Sequence, residues 1–502
     1  MRINIGKLLW NRAYLNPDME ASISFDYRFN FRQLNERSNQ FASYLKTQNI
    51  KAGDRIAILC KSNEHVTTVM FGAAKVGVIT LGVNWRFQPP EMIYILNDAG
   101  VSLLVYDSDF SQIVDQIRNS IPASIFLMVD ISGENNEFEA ALLDQDRDEP
   151  VYTGFDNDTA VMMYTSGTTG KPKGAMLTHS NLFWAAVGSV NTLNICQGYR
   201  FLLTMPMFHI GGVAPVMYSI HRGFTCFYMP NFDPVKMWDV ITAEKINFTM
   251  TVPVMLRAML QVPDITTKDL SCLKFIMCGG SAVPQDLIMT YDNMGIKIHQ
   301  VYGITEYTGN VSCWTTDMGM DKSNSMGKTI LHAHVKILSP ESEQELPLGV
   351  VGEICCAGPQ IFKGYWNNPE ATIASIRDGY YRSGDLGKID EDGFIYVVDR
   401  LKDMIISGGE NIYPAELEQV IMHHKDVAEV AVVGKPDSKW GEIPVAMIVP
   451  KPGVEVKTEE ITALCRKNMA AYKCVKEVQL VDALPRTATG KVLKEELRAR
   501  LR

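Results

Sequence analysis

Thr165-Ser166-Gly167-Thr168-Thr169-Gly170-Lys171-Pro172-Lys173-Gly174 is the stretch from which the rest of the chain can be read. It follows an apolar, β-type run at residues 160–164 and precedes a segment opening Leu177-Thr178-His179. Its glycines let backbone N–H groups approach a ligand closely, its hydroxyls add donors, and its two lysines add charge. Together these make a phosphate cradle from a backbone nest and point charges. It is not a Walker A loop, because Gly170-Lys171 is followed by Pro172 where that motif places a hydroxyl for magnesium. A flexible surface loop has a similar composition, so the cradle needs support from elsewhere in the chain.

At 502 residues the chain exceeds what one hydrophobic core serves, and two or more domains are expected. A composition of 46% hydrophobic and 21% charged residues is that of an ordinary globular protein. The net charge of −9 argues against a nucleic-acid binder, which would carry a basic surface. That charge is uneven: residues 1–402 carry all of it, residues 403–502 balance to zero, and residues 466–502 hold +6. A basic tail on an acidic body suits a polyanionic ligand or a solvated helical surface. Ten scattered cysteines with no C-x-x-C lead to the expectation of reduced thiols in a cytoplasm. The nine histidines, including His332/His334 and His423/His424, have no metal-ligand spacing. No apolar stretch approaches the ~20 residues of a membrane span.

Phe31, Leu34, Phe41 and Leu45 recur at helical spacing, which predicts an amphipathic helix over residues 31–47. Strand-like runs at 55–60, 78–83 and 101–106 then alternate with helices ending near 75 and beginning near 91. The rhythm resumes after the glycine loop, with runs at 201–207, 224–229, 247–252, 273–278 and 297–302. Such alternation implies an α/β fold with parallel sheets of βαβ units. From about 325 to 400, short runs divided by Gly and Pro suggest a small antiparallel β unit. Asp399-Arg400-Leu401-Lys402-Asp403 is a charged break between two β-like runs. The expected organisation is a large N-terminal domain at 1–398, a hinge at 399–403, and a small α+β C-terminal domain at 404–502. In the last, a helix is expected at 414–422 and strands at 429–433 and 445–449.

Four further constellations support the cradle. Tyr302-Gly303-Ile304-Thr305-Glu306 closes a predicted strand, where a Thr and a Glu suit a phosphate and its magnesium. The segment 379–387 carries Asp385, a carboxylate able to accept both hydroxyls of a ribose. Ser407-Gly408-Gly409-Glu410 is a glycine loop just past the charged break, and Pro485-Arg486-Thr487-Ala488-Thr489-Gly490-Lys491 is a mobile loop presenting one lysine. Each alone reads equally as a turn.

Together, and in this order, these segments resemble the adenylate-forming superfamily of acyl-CoA synthetases, nonribosomal adenylation domains and luciferases. The resemblance covers nearly the whole chain. Pro206-Met207-Phe208-His209 looks like the P-x-F-H segment of fatty acyl-CoA synthetases. Amino-acid-activating relatives carry an Asp where this chain has His209, and an uncharged site does not repay the desolvation of an ammonium. The long-chain and very-long-chain synthetases of mycobacterial type are the nearest subgroup by these motifs.

The resemblance implies an ATP-dependent acyl-CoA synthetase that passes through an acyl-adenylate, with ATP, Mg²⁺ and CoA as partners of a carboxylic acid. Medium- to long-chain fatty acids are the expected substrates. An aryl or succinylbenzoate CoA ligase is an alternative, as is an acyl-AMP ligase loading a carrier protein. The last usually carries an insertion for which there is no room between Glu306 and Asp385. By the same resemblance Thr165, Ser166, Gly167, Thr168, Thr169, Gly170 and Lys173 would hold the β/γ phosphates, Thr305 the α-phosphate, and Glu306 the Mg²⁺. Gly280, Ser281, Ala282, Tyr302 and Gly303 would line the adenine slot, and Asp385 and Arg400 would fix the ribose. Lys491 would bridge the attacking carboxylate and the α-phosphate, with His209 positioning the acid. The C-terminal domain would swing about Lys402, bringing Ser407, Gly408, Gly409 and Glu410 to the thiol. The expected acyl walls are His209, Val213, Met217, Met255, Gly279, Gly303 and Tyr307. A nucleotide sensor without turnover is a further reading, opposed by Lys491, Glu306 and Asp385 together. Peripheral membrane contact and a homodimer are left open.

Overall fold

The computed structural model of the chain describes residues 2–130, 136–165, 171–263, 265–408, 410–487 and 490–501. Ser166, Gly167, Thr168, Thr169, Gly170 and Gly409, all named above, lie outside the described residues. The chain forms two compact units, Met1–Val335 with Cys356–Tyr381, and Lys336–Cys355 with Arg382–Arg502.

The first unit holds two sheets. One runs in the order Gly364–Tyr365, Lys173–Thr178, Thr159–Thr165, Ile79–Gly82, Arg55–Leu59, Val101–Asp107, Ile125–Val129. Its central strands are parallel, as βαβ units require, with Arg55–Leu59 lying between the two strands that follow it in sequence. The set continues one strand beyond the expected end at 106: Ile125–Val129 adds in parallel to Val101–Asp107. The other sheet has nine strands among the described residues, parallel through its middle and antiparallel at both ends. Its strand at Arg200–Leu203 stops short of the expected 207, since Pro206 has no N–H to give a ladder. The helix expected from 91 begins at Pro89, where a proline costs no hydrogen bond.

The amphipathic helix forms as Phe31–Thr47, opened by a capping box between Asn30 and Gln33. It packs on Glu64–Lys75 through Gly72, where an added Cβ would lie 2.6 Å from the Ser38 carbonyl oxygen. Lys75, at the end of that helix, is fully buried and donates to Asn35, Asn39 and Glu149, so its charge is paired and hydrogen-bonded.

The small β unit is present as five strands, with Tyr380–Ile389 antiparallel to Ile395–Arg400. In the second unit a long hairpin, Val427–Asp437 with Gly441–Pro450, is flanked by Ile405–Ser407 and by Glu477–Leu480. The expected strands at 429–433 and 445–449 are the middle of that hairpin. The helix forms over Pro414–Met422, and Leu417 and Ile421 join Ile448, Ile461 and Cys465 in one core. All ten cysteines are free thiols. Among the described residues no helix is long and apolar enough to cross a membrane.

At Gly72 two effects compete. Alanine would gain about 1 kcal/mol of helix propensity, but overpacking against the Ser38 backbone costs about 1–3 kcal/mol. Gly72→Ala is therefore expected to lower stability, seen as a lower urea midpoint; a raised midpoint would contradict this packing.

Candidate active site

The glycine-rich loop connects the two strands of an antiparallel hairpin, and Thr165 stands opposite Lys173 at its base. The strand residues that flank the loop, Thr165 and Lys173, are thus held by one ladder. Tyr164, next to Thr165, donates to Asp98, and Tyr94 donates to the Pro172 carbonyl, so both shoulders are also pinned by side chains.

Glu306 lies on the short turn Thr305–Tyr307 at the end of the Ile298–Ile304 strand. Its carboxylate is buried, and Oε1 accepts from Thr165 Oγ1 at 3.1 Å and from Tyr365 OH at 2.9 Å. The Lys173 ammonium sits 5.4 Å from the centre of the Tyr365 ring, a cation–π contact. Thr165 and Tyr365, from two distant segments, therefore meet at one carboxylate, and Lys173 adds its charge over the Tyr365 ring. Glu306 pushes the Tyr365 hydroxyl to hold its proton, burial being the larger cause, so Tyr365 stays a donor to it. A fixed carboxylate oxygen is the donor type that Mg²⁺ takes beside substrate phosphates.

Thr305 is half-buried beside this group. Tyr302 is buried on the same strand, while Gly303 is exposed at a register shift; a Cβ there would meet the Gly309 carbonyl at 2.8 Å. Gly280, Ser281 and Ala282 are exposed just beyond the Phe275–Gly279 strand, and Gly280 takes a positive φ of 80° that glycine permits. Both groups thus stand at carboxyl ends of neighbouring strands of one sheet.

His209 caps the N-terminus of the Ile210–Arg222 helix and packs on Phe208, ring centres 4.5 Å apart. Burial, followed by the nearby Arg86 charge, pushes its pKa down to about 4, so the imidazole is neutral at physiological pH. Its buried Nε2 has no partner among the described residues. Leaving such an atom unmet costs about 1–3 kcal/mol. Of the other expected acyl walls, Met217 and Tyr307 are fully buried, and the Tyr307 hydroxyl donates to the Ala357 carbonyl, so this phenol is committed to packing.

In the second unit, Asp385 and Arg400 face each other across two antiparallel strands, and Arg400 Nε lies 3.1 Å from Asp385 Oδ1. Asp385 is buried and Arg400 half-exposed. Lys402 is exposed on the turn Leu401–Asp403, which is braced on both sides. Asp399 accepts from the Ala415 amide at 2.8 Å, and Asp403 pairs with Arg498. Ser407 and Glu410 face each other at the end of a tight hairpin. Gly408 there has φ of 61°, and a Cβ would fall 2.8 Å from the Trp440 ring.

Lys491 is exposed on a turn closed by Thr487 N–H donating to the Lys491 carbonyl and by the Arg486–Glu429 ion pair. Desolvation by surrounding protein, then Arg400, lowers its pKa to about 8, with Asp385 and Asp403 opposing. It remains mostly an ammonium near neutrality.

Sequence reasoning missed Tyr365, Asp98 and Arg86.

Residues 9–366 match the model of the AMP-binding enzyme family, and residues 416–491 match that of the AMP-binding enzyme C-terminal domain. The long-chain-fatty-acid–CoA ligase FadD13 of Mycobacterium tuberculosis is 36% identical, covering 99% of this chain and 98% of its own. A feruloyl-CoA synthase of Amycolatopsis is 35% identical, covering 97% of each. Among solved structures, the o-succinylbenzoate CoA synthetase of Bacillus subtilis in complex with ATP and magnesium superposes with a TM-score of 0.86 at 31% identity, covering 98% of both chains. The chain belongs to the AMP-binding enzyme family.

Proposed function

We propose that this AMP-forming acid–thiol ligase converts medium- to long-chain fatty acids into their CoA thioesters. A carboxylate oxygen attacks the α-phosphorus of ATP, and pyrophosphate leaves with the electrons of the broken P–O bond. The CoA sulfur, as thiolate, then attacks the acyl carbon of the adenylate and AMP leaves. The observation that carries the ATP half is the meeting of Thr165 and Tyr365 at the Glu306 carboxylate, with the Lys173 ammonium over the Tyr365 ring. Phosphoryl transfer asks a protein mainly for positioning and charge neutralisation, and this group supplies both.

In this reading Thr165 and Lys173, with Ser166, Gly167, Thr168, Thr169 and Gly170, hold the outer phosphates, and Thr305 holds the α-phosphate. Glu306 would hold Mg²⁺, which when bound neutralises charge on the phosphates. Gly280, Ser281, Ala282, Tyr302 and Gly303 take the adenine, and Asp385, kept in place by Arg400, takes the ribose hydroxyls. Lys491 steadies the charge on the attacking carboxylate and α-phosphate. After rotation about Lys402, the segment Ser407, Gly408, Gly409 and Glu410 serves the CoA step. Residues 1–398, 399–403 and 404–502 then act as large domain, hinge and mobile domain.

His209 meets the acid. Its neutral ring and unpartnered Nε2 support a hydrogen bond to the substrate carboxylate rather than an ion pair. A neutral residue where an amino-acid substrate needs a carboxylate also supports a simple acid. The similarity to FadD13 supports a fatty acid. The similarities to a feruloyl-CoA synthase and to an o-succinylbenzoate CoA synthetase support an aryl acid as the second reading.

Lys491→Ala should lower acid-dependent pyrophosphate release by roughly 10²–10³ while sparing thioester formation from supplied acyl-adenylate. Gly409→Leu should do the reverse. Equal loss of both half-reactions in both variants would contradict two alternating arrangements.

The pH dependence separates the same halves. The Lys491 ammonium is lost as pH rises through about 8, so adenylation should decline above that pH. Thioester formation from supplied acyl-adenylate should lack this limb, because deprotonation there favours the CoA thiolate. A shared alkaline decline in both half-reactions would remove Lys491 as its source.

A further inference from the structure

Asn181 lies in the first turn of the His179–Thr192 helix, which follows the strand leaving the glycine loop. It is buried, and both ends of its amide are used. Its Oδ1 accepts from the Thr178 N–H at 3.0 Å, and Thr178 Oγ1 accepts from the Asn181 N–H, the two halves of a capping box. A cap needs no more than this. Yet Nδ2 also donates to the Pro359 carbonyl at 2.9 Å and to the Ile361 carbonyl at 2.7 Å. Only a nitrogen can face two carbonyl oxygens, so these partners fix which way the amide points.

The segment that Asn181 grips leads straight to Glu306. The Gln360 carbonyl, between the two that Asn181 holds, accepts from Thr308 Oγ1 at 2.7 Å. The Phe362 N–H donates to the Glu306 carbonyl at 2.8 Å, and further along the Tyr365 hydroxyl reaches Glu306 Oε1. The buried Phe362 ring stands edge-on to the Tyr365 ring, centres 4.8 Å apart, and so steadies the phenol. One short stretch therefore holds Glu306 at both its backbone and its side chain.

The turn that carries Glu306 needs such a brace. Thr308, fully buried just past it, has φ of 57°, a conformation that β-branched residues rarely take. Backbone of this kind costs about 1–3 kcal/mol and persists only where its surroundings over-determine it. The bond to Gln360 and that from the Thr308 N–H to the Thr305 carbonyl supply the constraint. Among the described residues both donors to the Glu306 carboxylate reach Oε1, which leaves Oε2 to face a cation.

We propose that Asn181 is a positioning residue for adenylation: through residues 359–362 it sets the Glu306 carboxylate, and with it the seat of a divalent cation on ATP, while touching no substrate itself. This rests on the reading above in which Glu306 holds Mg²⁺.

Asn181→Asp separates positioning from capping. It keeps an oxygen for the Thr178 N–H, and its charge suits a helix first turn, but it withdraws both donations to the 359–361 carbonyls. Calorimetry on the full-length enzyme, without acid or CoA, compares ATP with Mg²⁺ and ATP with EDTA. The variant should bind ATP about tenfold more weakly with Mg²⁺ and equally well with EDTA. The Mg²⁺ concentration for half-maximal pyrophosphate release should rise by a similar factor, while thioester formation from supplied acyl-adenylate holds. If Asn181→Asp does not fold, Thr308→Gly loosens the same segment from the other side while relieving backbone strain, and the same pattern is expected. ATP binding that is unchanged, or weakened equally with and without Mg²⁺, overturns the positioning role and leaves Asn181 a helix cap. Wild-type enzyme that binds ATP no better with Mg²⁺ than with EDTA overturns the reading of Glu306 itself.

Discussion

One carboxylate oxygen, Glu306 Oε1, carries the organisation of the large unit. It accepts from Thr165, at the base of the glycine-loop hairpin, and from Tyr365, which reaches in from a strand on that hairpin's outer edge. A buried carboxylate left alone would cost several kcal/mol, whereas each hydrogen bond to a charged group contributes about 1.5–3 kcal/mol. The two donors therefore make burial of Glu306 tolerable and at the same time join the end of the nine-stranded sheet to the seven-stranded one. The strand that enters the loop proposed to hold phosphates is tied, through one atom, to the residue proposed for their counter-ion. Lys173, placed over the Tyr365 ring, adds a positive charge to the same spot without neutralising the carboxylate directly.

The second unit repeats the device with a different purpose. Asp385 holds Arg400, Asp399 holds the start of the Pro414–Met422 helix, and Asp403 holds Arg498. Three carboxylates thus brace the few residues around Lys402 from both sides. A rotation about Lys402 would leave Asp403 with Arg498 but would have to release or carry the Asp399–Ala415 contact. The segment read as a hinge is short and held, which suits two discrete arrangements better than free swivelling.

Much of this was legible in the residues. The helical spacing of Phe31, Leu34, Phe41 and Leu45 placed the Phe31–Thr47 helix at its observed ends, because an asparagine cap precedes it and its apolar face is continuous. The surroundings of Glu306 and Asp385 at strand ends were readable because each motif pairs a backbone requirement with a chemical group. The role of Tyr365 was not, since its meaning comes only from a partner 59 residues away. Nor was the Ile125–Val129 strand, which lies past a run that already looked complete. Pro206 ended a strand that hydrophobicity alone extended to 207. The commitment of Tyr307 to the Ala357 carbonyl was equally hidden, because composition cannot tell an aromatic that lines a pocket from one that packs beneath it.

The most direct measurement mixes the protein with ATP, Mg²⁺, CoA and a pool of carboxylic acids, fatty and aryl, and identifies the products by mass spectrometry. The account predicts a straight-chain acyl-CoA formed in step with AMP and pyrophosphate. Acyl-adenylate accumulating without thioester, or an aryl-CoA as the sole product, would contradict it.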